Sequence, residues 1–158
     1  MSVSATTRPK ADREEDGRNY YFLAEDEFRR QVSAGEFLEY AEVFGALYGT
    51  PAGPVRRDFE DGELVLLEID VQGGCQINRM FPEAVGIFVL PPSEESLVQR
   101  LGGRNREDAT ARAQRLARAR SEVDQAKEIA IYRHFIVNEN INRCVEEIKE
   151  VIRKERTK

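Results

Sequence analysis

The chain has no tryptophan, two cysteines, two methionines and a single histidine among its 158 residues. Cys75 and Cys144 stand apart, with no CxxC spacing and no histidine beside either. That argues against a disulfide framework and a structural metal site, and a reducing cytoplasm is the expected compartment. No apolar run approaches the roughly 18 residues of a membrane span. The N-terminus carries no apolar signal-peptide core. There is no internal repeat and no low-complexity linker. The net charge of −5 argues against general nucleic-acid binding. His134 precedes an apolar run and has no serine or cysteine nucleophile beside it, so it reads as structural.

What remains is a chain long enough for one domain with its own core. Its positive charge is mostly arginine and is unevenly spread. Arg100, Arg104, Arg106, Arg112, Arg115, Arg118 and Arg120 fall in one stretch, opposed there only by Glu107 and Asp108. A solvated helix face explains such a run; so does fork-like recognition of phosphate or carboxylate.

Three short apolar runs read as buried strands: Leu64–Asp70, Ile87–Leu90 and Phe135–Val137. Nearly unbroken runs suit parallel strands covered on both faces. Ser93 predicts a helix N-cap, with Glu94 and Glu95 in the first turn. The stretch 105–128 predicts a long helix. Ile141, Cys144, Val145, Ile148, Val151 and Ile152 recur at the spacing of a C-terminal amphipathic helix. Residues 18–50 read differently. A short strand over Tyr20–Leu23 precedes a helix that ends near Gly35, then Phe37–Val43 turns at Gly45 into Tyr48–Pro51. The whole predicts an α/β fold, a parallel sheet with flanking helices and a small mixed α+β insert.

Several residues carry candidate chemistry. In open α/β sheets, ligands bind beyond the carboxyl ends of strands, where Glu68 and Asp70 stand. Acids there accept hydrogen bonds or bind Mg²⁺ through water; ordinary helix capping is the plainer alternative. Arg8, flanked by Ser4, Thr6 and Thr7, is a candidate phosphate ligand, with Tyr20 and Tyr48 as hydroxyl donors. Glu39 lies in an apolar setting and needs a partner. Guanine offers two adjacent N–H donors that one carboxylate can receive together.

The motifs Ser4-Ala5-Thr6-Thr7-Arg8, Asp16-Gly17-Arg18-Asn19-Tyr20-Tyr21-Phe22, Gly35–Val43, Tyr48-Gly49-Thr50-Pro51, Leu67–Gly73, Leu90-Pro91-Pro92-Ser93 and Ile136-Val137-Asn138 run the length of the chain. In order and spacing they resemble guanylate kinase, a nucleoside monophosphate kinase. The resemblance implies a P-loop-kinase-like domain over 1–158. Residues about 4–60 would be the GMP-binding region, 62–99 and 129–158 the core, and about 100–128 the lid. Ser4, Glu39, Thr50 and Glu68 would read guanine, with Gly49 in the same segment. Arg8, Tyr20 and Tyr48 would hold the GMP phosphate, and Asp70 would sit toward the Mg²⁺ and phosphates. Arg100, Arg104 and Arg115 would close over the ATP phosphates as the catalytic arginines, and Asn138 would lie near adenine. The implied reaction moves the γ-phosphoryl of ATP to GMP by positioning and charge neutralisation.

Two departures from the family pattern stand out. Ala11 occupies the place of a second phosphate-binding arginine. The chain also has no G-x-x-x-x-G-K-[ST] phosphate loop and no Gly-Lys dipeptide. The family places that loop upstream of the Ser4 position, after a central strand and before a helix. The expectation is therefore a guanylate kinase whose donor loop lies outside these residues and whose 158 residues alone do not turn over. The alternative is a non-catalytic relative that binds GMP or a phosphorylated protein partner.

Overall fold

The computed structural model describes residues 1–102 and 109–157, the side chains of 100–102, 109–112, 114 and 115 excepted. The chain divides into two compact units, Met1–Phe81 and Pro82–Lys158.

The first unit is built on a four-stranded sheet. Its elements are β1 (Ala5–Thr6), β2 (Tyr21–Phe22), α1 (Glu25–Ser33), β3 (Phe37–Val43), β4 (Ala46–Pro51), α2 (Ala52–Glu60) and α3 (Val71–Met80). The strand order is β2-β1-β4-β3. β1 runs parallel to β2 and antiparallel to β4, and β3 and β4 form a hairpin. Phe44 and Gly45 turn that hairpin with φ of 51° and 76°. Positive φ at both central residues matches the twist of the flanking strands, and Gly45 takes it without strain.

Helix α1 begins with Glu25, Asp26 and Glu27 in its first turn, where acids complement the helix dipole. It ends in a Schellman arrangement. Gly35, at φ 69°, donates its N–H to Val32, and Glu36 donates to Gln31. Phe28 is fully buried and stacks on Phe37 with ring centroids 4.5 Å apart. Helix α2 was not foreseen; Pro54 in its first turn, where no N–H is needed, was the available signal.

Leu64–Asp70 is a correction. Residues 63–70 belong to neither sheet, and Leu64 and Leu66 are exposed. An apolar extended run becomes a strand only when a neighbour completes its ladder. Here the segment meets the start of the chain at Ser2, whose N–H and hydroxyl donate to the Leu66 carbonyl at 3.0 and 3.4 Å. The expected carboxyl end of a strand is therefore the entry to a helix.

The second unit contains β5 (Gly86–Leu90), α4 (Glu94–Gly102), α5 (Ala109–Glu128), β6 (Tyr132–Val137) and α6 (Ile141–Glu155). β5 and β6 pair in parallel, as the apolar runs 87–90 and 135–137 predict. The Ser93 hydroxyl accepts the Ser96 N–H at 3.1 Å, the expected cap. Asn140 caps α6 by accepting the N–H groups of Asn142 and Arg143. On α6 Cys144 is buried, whereas Ile141 and Val145, counted with its apolar face, are exposed. His134 lies on β6 with its Nε2 3.4 Å from Glu155 Oε1. Among the described residues no helix is long and apolar enough to cross a membrane.

Candidate functional site

The first unit gathers two clusters on neighbouring strands. One is built for an anion. Thr6, fully buried on β1, accepts the Arg8 backbone N–H on its hydroxyl oxygen at 3.1 Å. Thr7 accepts the Leu47 N–H at 2.9 Å and ties the following loop to β4. Arg8 then leaves the sheet with its guanidinium anchored. One Nη donates to the Pro9 carbonyl and the other to Glu14 Oε1, each at 2.7 Å. Tyr48 lies near enough to help raise the Arg8 guanidinium, and Arg8 lies 5.6 Å from the centre of the Tyr20 ring. Tyr20 also packs edge-on against Tyr48 at 6.0 Å. These partners fix a fork that otherwise rotates freely.

Glu14 is the residue that sequence reasoning missed. Its second oxygen accepts the Ala11 N–H at 2.8 Å, so one carboxylate closes the loop and holds the arginine. The Arg8 bond holds the Glu14 carboxyl below the usual range, while Glu14 raises the Arg8 guanidinium. Tyr20 is pushed up chiefly by burial, then by the nearby charge of Glu68. Glu68 itself is exposed.

The second cluster surrounds Glu39. This residue is 4% exposed and faces Thr50, its register partner on β4. The Thr50 hydroxyl donates to Glu39 Oε1 at 2.5 Å. Burial pushes the Glu39 carboxyl up; the Thr50 bond opposes that, and the charge of Asp70 adds to it. Asp70 caps α3, its Oδ1 accepting the Gly73 N–H at 2.9 Å. Its Oδ2 accepts from Gln72 at 3.2 Å. The capping role considered for the two acids thus holds for Asp70.

Two glycines make the cluster possible. A Cβ at Gly73 would collide with Glu39 Oε2 and stand 3.2 Å from Ile69 Cβ. A Cβ at Gly49 would stand 2.9 Å from the Glu39 carbonyl and from the Phe37 ring. Tyr48 and Thr50, two residues apart on β4, share one face of the sheet, about 7 Å apart along the strand. The anion clamp and the buried acid are therefore aligned along a single strand.

Ser4 precedes β1 and gives its carbonyl to the Tyr21 N–H at 2.9 Å. Asn138 belongs to the second unit, where its N–H reaches the Leu90 carbonyl at 2.8 Å. Arg104 lies outside the described residues, as do the side chains of Arg100 and Arg115. No group of three or more His, Cys, Asp or Glu among the described residues is placed to hold a metal ion.

The guanylate kinase family model matches residues 1–155. A guanylate kinase from Symbiobacterium thermophilum is 44% identical over 158 residues, covering 100% of this chain and 74% of that protein. One from Rhodococcus jostii is 45% identical over 150 residues, covering 94% of this chain and 71% of that protein. The crystal structure of guanylate kinase from Anaplasma phagocytophilum aligns with a TM-score of 0.81 at 35% identity, over 99% of this chain and 76% of that one.

Proposed function

The chain belongs to the guanylate kinase family, and from that premise we propose that it is the GMP-accepting part of an ATP-dependent phosphotransferase that makes GDP. The observation that carries the reading is the buried Glu39 carboxylate, held by Thr50 on the same sheet face as the Arg8–Tyr48 clamp. A carboxylate receives the N1–H and 2-amino donors of guanine together, a pattern that adenine does not offer. Ser4 and Glu68 flank the base. Arg8, Tyr20 and Tyr48 take the phosphate with one charge-assisted fork and two hydroxyls.

The chain's own residues do the work of positioning. The clamp fixes the acceptor phosphate, and the acid fixes the base at its other end. That converts a bimolecular encounter into an aligned one. Arg100, Arg104 and Arg115 would neutralise charge on the transferring phosphoryl group, and Asn138 would contact the adenine of ATP. Mg²⁺ would enter bound to the ATP phosphates. The free thiols Cys75 and Cys144 fit a reducing cytoplasm.

The 158 residues contain no donor phosphate loop. We therefore expect this chain to bind GMP without, by itself, converting it to GDP. Calorimetry with GMP and adenosine monophosphate tests the binding. Equal affinity for the two would end the guanine assignment. A coupled assay tests turnover, and GDP formation at the rate of a complete guanylate kinase would overturn the second statement. Ala11, at the place of the family's second phosphate-binding arginine, favours a second reading, a non-catalytic module whose Arg8 clamp holds a phosphorylated protein. Tighter binding of a phosphopeptide than of GMP would decide for it.

A further inference from the structure

β3 is the outer strand of its sheet, with its free edge turned away from β4. The register between β3 and β4 shifts between Phe37 and Glu39. The ladder is therefore interrupted beside the acid on which base recognition depends, and an interrupted edge strand needs support from outside. That support comes from one side chain. Gln76 Nε2 donates to the Tyr40 carbonyl at 2.7 Å, and Gln76 Oε1 accepts the Tyr40 N–H at 3.2 Å. A side-chain amide thus completes both backbone groups of the residue next to Glu39, as a neighbouring strand would.

Gln76 stands one helical turn beyond Gly73 on α3. Gly73 is the residue against which the Glu39 carboxylate is pressed. Asp70 caps the same helix, and its charge acts on Glu39. The separation of α3 from β3 therefore sets where the Glu39 oxygens lie, and the Gln76–Tyr40 pair fixes it one residue beyond Glu39, on the edge of β3 that no strand covers. The anion clamp has its own anchors, the Pro9 carbonyl and the Glu14 carboxylate.

We infer that Gln76 is a positioning residue for guanine specificity: its two-way bond to the Tyr40 backbone holds Glu39 where one carboxylate meets both guanine N–H donors. This rests on the GMP reading above. The test compares binding of GMP, inosine monophosphate (which lacks the 2-amino group) and guanosine (which lacks the phosphate). Wild type and the variant Gln76→Met, which keeps length but loses both hydrogen bonds, are titrated side by side. The expected result is a GMP-over-inosine-monophosphate preference lowered about threefold to tenfold, as losing one ordinary hydrogen bond implies, with the GMP-to-guanosine ratio unchanged.

Gln76→Glu, which keeps an acceptor for the Tyr40 N–H but no donor at neutral pH, is the second variant. Its expected loss lies between the other two proteins, and it carries the test if the methionine variant does not fold. Unchanged base preference in a folded variant overturns the inference, as does an equal fall in both ratios, which marks a merely structural role. A wild-type protein without preference for GMP over inosine monophosphate overturns the GMP reading itself and takes this inference with it.

Discussion

Replacing Glu39 by glutamine separates two contributions that the site holds in opposition. The carboxylate is 4% exposed, and burial is the first cause raising its pKa. The shape of glutamine is nearly the same, and its amide oxygen still accepts the Thr50 hydroxyl. Its NH₂ takes the place of the second oxygen and turns a donor toward the donors of guanine. Loss of one charge-assisted acceptor corresponds to about 1.5–3 kcal/mol, or roughly one to two decades of GMP affinity. Stability should move the other way. A raised folded pKa means that the folded state holds the proton more tightly than the unfolded chain. The unfolding free energy then falls as pH rises from the unfolded value of about 4.3 through the raised folded value. Above that window the ionised Glu39 weakens the fold. Glu39→Gln should therefore be the more stable protein at pH 7, and its stability should lack that component of the pH slope. Urea unfolding from pH 4 to 8, with GMP titration at pH 7, checks both arms. A variant less stable at pH 7, with the pH slope of the wild type, would refute the reasoning.

Gly73→Ala should lose both stability and GMP affinity, because the new Cβ meets the Glu39 carboxylate on one side and Ile69 Cβ, 3.2 Å away, on the other; thermal unfolding and titration read the two, and a wild-type-like protein would show that α3 can retreat. Ala11→Arg restores the second phosphate-binding arginine of the family pattern and should tighten GMP by about 1.5–3 kcal/mol, with no change for guanosine; equal GMP affinities would count against Arg8 as the phosphate ligand. Asn140→Ala removes the acceptor for two N–H groups at the start of α6 and should cost about 1 kcal/mol of stability. It should leave GMP affinity untouched, which calorimetry checks.

Elements closed by local chemistry were legible from the residues alone. Gly35 at the end of α1, Gly45 in the β3–β4 turn and Ser93 before α4 each use conformations or bonds reaching a few positions along the chain. The parallel pair β5–β6 was legible because two apolar β-branched runs bracket a helical stretch. Leu64–Asp70 has the same pattern and is not a strand. Its period reports how apolar the segment is, while a ladder depends on which backbone lies alongside, and that is decided by distant residues. Helix α2 went unread because its cue, Pro54 behind Pro51 and Gly53, is also the cue of a turn.

The site shows the same division at finer scale. Glu39 was recognisable as a half-buried acid in want of a partner, and Arg8 as a phosphate ligand, because each is an unusual residue in its immediate surroundings. Their partners were less visible. Glu14 sits in a run of ordinary surface charge, Arg13-Glu14-Glu15-Asp16, where nothing distinguishes one carboxylate from the next. Only the fold of the 8–14 loop brings it to both the Arg8 fork and the Ala11 N–H. Gln76 is more hidden still, a neutral side chain acting across 36 positions on a backbone group. A residue that must carry an unusual charge state announces itself by its type, because burial or pairing of that charge demands a reason. A residue that holds it in place needs only one good hydrogen bond, which almost any polar side chain can supply, so its identity emerges from geometry and not from composition.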